Sequence, residues 1–138
     1  MDSTADRRLV AATWLFAIGS AVHVADHLRR GQGSVTDELY LAGNLALVVQ
    51  VVVVTLVATR HRLAPLAAAA SGVPLAIGFA AAHWLPEWSA LSDPAWEVTS
   101  MRWLTYLASG AEIAGALAVG ITGMAIVRQR GLASFARA

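Results

Sequence analysis

Residues 104–127 read LTYLASGAEIAGALAVGITGMAIV, with Glu112 as the single charged side chain in the run. A hydrocarbon core of about 30 Å is crossed by about 20 helical residues, so this stretch is long enough and apolar enough to span a bilayer. Three further runs of the same kind, 9–28, 41–59 and 63–85, precede it. The sequence therefore predicts an all-α fold. It is an integral membrane four-helix bundle of antiparallel up-down hairpins, forming a single transmembrane domain over residues 1–138 with a longer outer loop at about 86–103.

Composition agrees with lipid as the main solvent. Of 138 residues, 57% are apolar and 14% charged, against roughly one-quarter charged in soluble domains. All basic side chains are arginines, and they flank the apolar runs instead of forming a stripe, so no nucleic-acid partner is expected. With no cysteine, thiol catalysis, disulfides and thiolate metal sites are excluded. The absence of lysine excludes a Schiff base and a P-loop, and no Gly-rich nucleotide fingerprint or serine nucleophile elbow is present.

Arginines at the run ends set the expected orientation. Arg7, Arg8, Arg60, Arg62, Arg128, Arg130 and Arg137 fall on one side, and Arg29, Arg30 and Arg102 on the other. The excess places both termini in the cytoplasm and residues 86–103 outside, in the cell membrane. Trp84, Trp88, Trp96 and Trp103 then mark an outer interfacial belt. Gly31 and Gly33 close helix one, and Ser34-Val-Thr-Asp37 has capping-box form, so helix two is expected to begin ahead of its apolar run. Asp93-Pro94 reads as a helix start that projects helix four beyond the membrane. Pro74 is expected to kink helix three. Ala111-x-x-x-Gly115 and Ala116-x-x-x-Gly120 give small-residue spacing, read first as packing within the bundle and second as a homodimer face on helix four.

Ionisable groups at the centre of a membrane helix cost on the order of 2.5–3.5 kcal/mol each on insertion scales, which makes them functional candidates. If the runs end near residues 28, 41, 85 and 104 at the outer boundary, His23 lies ~8 Å below it, Asn44 ~5 Å, His83 ~3 Å and Glu112 ~12 Å. All four helices thus contribute a polar group to the outer half. His23, Asp26 and His27, at i, i+3 and i+4, share one face, with Ser20 a turn below. Ser109 and Thr105 extend the face of Glu112. Gln50 lies about 120° round helix two from Asn44 and is left outside the cluster.

Three functions fit this cluster. The first is an enzyme performing acid–base chemistry of the isomerase, cyclase or hydrolase kind on a lipophilic, isoprenoid or sterol-like molecule drawn from the bilayer. Glu112 and His23 would form the proton-transfer pair, assisted by His27, Asp26, His83 and Asn44. Trp84, Trp88, Ser109 and Ser20 would line the substrate pocket. In residue types and setting this cluster resembles that of the emopamil-binding sterol isomerases; no motif aligns, and no role is carried over. The second is a metal or haem protein. His23-x-x-x-His27 can place two imidazoles on one divalent metal, with His83 and Glu112 completing the set, or His23 and His83 can hold a haem b between helices. The third is a non-catalytic accessory or lipid-binding bundle.

Overall fold

A computed structural model of the chain describes residues 4–136 and is all-helical, with no strand among them. Four long helices form the body: α1 (Thr4–Arg30), α2 (Asp37–Ala58), α3 (Ala64–Trp84) and α4 (Arg102–Arg130). Each is long and apolar enough to cross a membrane. The chain is a multi-pass, four-helix membrane protein. Helices α1 and α4 overrun their apolar runs at both ends and α2 at its start, where flanking polar residues continue them toward the interface, whereas α3 stops one residue inside its run at each end. Arg137, part of the arginine count, lies outside the described residues.

Local chemistry sets the ends. Gly31, at φ 90°, closes α1 by donating its amide to His27 O over 3.0 Å, a conformation favourable only for glycine. A single 3-10 turn, Gln32–Ser34, follows. Thr36, not Ser34, is the N-cap of α2; its hydroxyl accepts from Leu39 N at 3.1 Å. At the other end of α2 the amide of His61 reaches Leu56 O (2.8 Å) and that of Arg60 reaches Val57 O (3.0 Å), with Arg60 at φ 55°. These paired bonds are a Schellman cap, which turns the chain into α3 within a few residues. Helix α3 runs unbroken through Pro74.

The Asp93-Pro94 expectation requires correction. Only one 3-10 turn, Ala95–Glu97, forms there, and α4 begins at Arg102 after Met101 at φ 52°. Asp93 caps nothing because its carboxylate pairs with Arg30.

Helix α4 is the axis of the bundle. Against α1, the pairs Asp6–Arg130, Phe16–Gly115, Gly19–Ala111 and Asp26–Thr105 run in opposite senses along the two helices. Against α3, Gly72 meets Gly120, and Gly123 meets Ala69 and Pro65. A Cβ on Gly115 would lie 2.5 Å from Phe16 Cα, and one on Gly123 2.6 Å from Ala69 N, so backbones touch where only glycine fits. Ala111, Gly115, Ala116 and Gly120 thus seat α1 and α3 within the bundle. The apolar core of Leu9, Phe16, Val53, Ala68, Val119 and Ile126 fills the half of the bundle nearer the termini. Helix α2 is the outlier, with 17% of its apolar window buried against 39% for α1 and α4.

Candidate metal centre

About five turns of α1 bring Asp6, Leu9, Thr13, Phe16, Ser20 and His23 onto its buried face, and at the loop end of the bundle that face turns from apolar to ionisable. His23 is buried at 5% exposure and meets Glu112 of α4, itself 3% exposed. Nδ1 of His23 is hydrogen-bonded directly to Glu112 Oε2. Gln50 of α2 donates from Nε2 to the other carboxylate oxygen over 2.8 Å. His27, one turn along α1, places its Nε2 3.0 Å from His23 Nε2, and His83 closes the group from the end of α3. The imidazole centroids of His23 and His83 are 4.6 Å apart, those of His23 and His27 4.7 Å.

Donor and acceptor roles follow from the fixed ends of this chain. Arg30 Nη2 lies 2.9 Å from His27 Nδ1. A guanidinium can only donate, so His27 accepts at Nδ1 and carries its proton on Nε2. That proton faces His23 Nε2, which leaves the His23 proton on Nδ1, directed at Glu112. The network thus assigns one tautomer to each of these rings.

A second carboxylate network borders the first. Asp26 is fully enclosed and receives Arg29 Nη2 at 2.8 Å and the Thr105 hydroxyl at 2.8 Å. Asp93, from the loop between α3 and α4, takes Arg30 through both carboxylate oxygens, at 2.9 and 2.5 Å. Its backbone carbonyl accepts from His83 Nδ1 at 3.0 Å, and its Oδ2 lies 3.5 Å from the same nitrogen and 4.0 Å from His27 Nε2. Burial pushes the Asp93 carboxyl pKa up, but hydrogen bonds from His83 and Arg30 and the Arg30 charge outweigh it and hold the group well below the usual carboxylate range.

Several expected members are placed differently. Asn44 is exposed on α2 and donates to Tyr40 O, back along its own helix. Gln50, left out of the sequence-based cluster, is the α2 residue on Glu112. Depth gives the missed signal: Gln50 is ~14 Å from the residue 41 boundary, close to the ~12 Å of Glu112. Ser20 is buried a turn below His23, and Ser109 accepts from the Trp84 indole at 3.0 Å. Trp88 is exposed and bonds Ala81 O. A groove of about 330 Å³ reaches Asp93 from the loop end, with Ser34, Thr36, Glu87 and Glu97 among its lining. Neither His23 nor Glu112 lines it.

Together, His23, His27 and His83 each offer one nitrogen within 4.8 Å of the others. Glu112 is outside that group because its carboxylate is directed to His23 Nδ1, so it supports a ligand instead of being one. The remote nitrogens of His23 and His83 are each held by an acceptor, the arrangement by which hydrogen-bonded neighbours fix the orientation of metal-ligating imidazoles. Haem fits poorly: axial imidazoles stand on opposite faces of a macrocycle, whereas His23 and His83 touch edge to face. No protein family, curated protein or solved structure matches the chain.

Proposed function

We propose that this membrane protein binds one divalent metal ion of the zinc class through His23, His27 and His83, near the loop end of the bundle. The observation that carries the reading is the convergence of three imidazoles from two helices, with the second nitrogens of His23 and His83 held by Glu112 and the Asp93 carbonyl. Three neutral nitrogen donors with no thiolate or thioether suit zinc, cobalt(II), nickel or copper(II) and disfavour copper(I). Three nitrogen ligands leave the fourth position of a tetrahedral site to be filled. Glu112 would hold the His23 proton on Nδ1 and strengthen its Nε2 as a ligand. Gln50 would hold Glu112.

The experiment is elemental analysis of detergent-purified protein, followed by titration of the metal-stripped protein with Zn²⁺. About one ion per chain, lost in His23→Ala and His83→Ala, is expected. Metal-free protein that takes up no Zn²⁺ would remove the reading. A second reading, acid–base catalysis on a lipophilic substrate, draws on the direct His23–Glu112 hydrogen bond. It would take precedence if the protein bound no metal but Glu112→Gln abolished turnover of an isoprenoid or sterol-like substrate with binding retained.

A further inference from the structure

Arg30 occupies an unusual place for a cation beside three imidazoles. Its side chain is only 7% exposed. One guanidinium nitrogen, Nη2, contacts both His27 Nδ1 at 2.9 Å and Asp93 Oδ2 at 2.5 Å. Its Nε is buried without a hydrogen-bond partner among the described residues, 3.4 Å from Asp26 Oδ2. This arrangement conflicts with metal ligation in one respect. A neutral imidazole that gives Nε2 to a metal carries its proton on Nδ1, and the Nδ1 of His27 faces a donor. For His27 to join the ion, Arg30 must withdraw from it.

Asp93 is the natural beneficiary of that withdrawal. Its Oδ2 is already 4.0 Å from His27 Nε2 and 3.5 Å from His83 Nδ1, and among the described residues only Arg30 pairs with it as a full charge. Resting on the metal reading, we propose that Asp93 is the fourth, oxygen ligand of the ion, and that Arg30 is a built-in competitor which holds Asp93 and His27 until the ion displaces it. The guanidinium and the divalent ion are alternative cations for one carboxylate. On displacement Asp26, which accepts from Arg29 as well, remains paired. The three-nitrogen, one-oxygen set completes a tetrahedral site without burying an excess double charge, since the Asp93 carboxylate offsets half of it.

The two roles predict opposite signs for two substitutions. Metal-stripped wild type, Asp93→Asn and Arg30→Gln would be titrated with Zn²⁺ against a competing chelator, and with Co²⁺ to record the visible d–d bands. Asp93→Asn should weaken Zn²⁺ binding by about tenfold or more and alter the Co²⁺ bands, since an amide is a poorer ligand than a carboxylate. Arg30→Gln should tighten binding, because the competitor is gone and the glutamine oxygen can accept from His27 Nδ1–H. If Arg30→Gln instead weakens binding alongside Asp93→Asn, the Arg30–Asp93 pair is a structural latch and the proposal is overturned. Unchanged affinity and unchanged Co²⁺ bands in Asp93→Asn would overturn it equally. Wild type that binds no metal would fail the broader reading first, and the fourth ligand with it; wild type that binds while Asp93→Asn is unaltered fails the fourth ligand alone.

Discussion

Gln50 donates its side-chain amide to Glu112 across 2.8 Å, from the least buried of the four spans to the most central one. It ties α2 to the ionisable site, and it does so by satisfying one oxygen of a carboxylate whose other oxygen serves His23. Glu112→Gln keeps the shape but removes the charge that holds the His23 proton on Nδ1. Loss of such a supporting carboxylate typically costs about 10–100-fold in metal affinity, and Zn²⁺ titration should show a fall of that order with the fold intact. An unchanged affinity would make Glu112 a packing residue.

The same reasoning separates Gln50 from Asn44. Gln50→Leu should weaken Zn²⁺ binding and loosen α2, whereas Asn44→Leu, on the exposed face, should leave binding alone and change stability by no more than about 0.5 kcal/mol. Parallel metal titrations and unfolding in denaturing detergent would test both. Equal effects of the two would contradict the facing described for α2.

Asp93 gives a pH prediction with a definite sign. Its folded-state pKa is lowered, so the stability contributed by its pairing is fully present above the unfolded value of about 3.9 and is lost as pH falls through the lowered folded value. The stability difference between wild type and Asp93→Asn, measured in the absence of metal, should therefore be the same at pH 7 and pH 5. It should shrink only below about pH 4. A difference already gone at pH 5 would refute the pairing.

Close helix contact makes Gly115 intolerant of a side chain. A Cβ there would meet the Phe16 backbone at 2.5 Å, and backbone cannot yield as a flexible side chain does. Gly115→Ala should destabilise the bundle by about 1–3 kcal/mol, the range for overpacked cores. Gly43→Ala, with open space around it, serves as the control. Detergent-unfolding midpoints that shift equally for both would show that the α1–α4 contact is looser than described.

Orientation rests on the arginine distribution and is checked by labelling. With both termini cytoplasmic, a cysteine replacing Ser89, an exposed residue of the 86–101 loop, should react with a membrane-impermeant maleimide added outside intact cells. Reaction only after permeabilisation would reverse the topology.

Hydropathy by itself determined the number of spans, because the bilayer imposes a length and an apolarity that each run meets on its own. It also placed His23, His27, His83 and Glu112 in the same half of the membrane, since depth follows from distance along a helix. The rotation of α2 was decided only by tertiary structure. Apolar residues surround Asn44 and Gln50 alike, and in lipid both faces of a span can be apolar, so no periodicity marks the inward side. The role of Asp93 was likewise hidden. Before a proline it reads locally as a cap, and it becomes a partner of Arg30 and His83 only because the α3–α4 loop folds back over the end of α1. Whether a carboxylate caps a helix or answers a buried guanidinium depends on a charge sixty-three residues away in sequence, and only the fold brings that charge near.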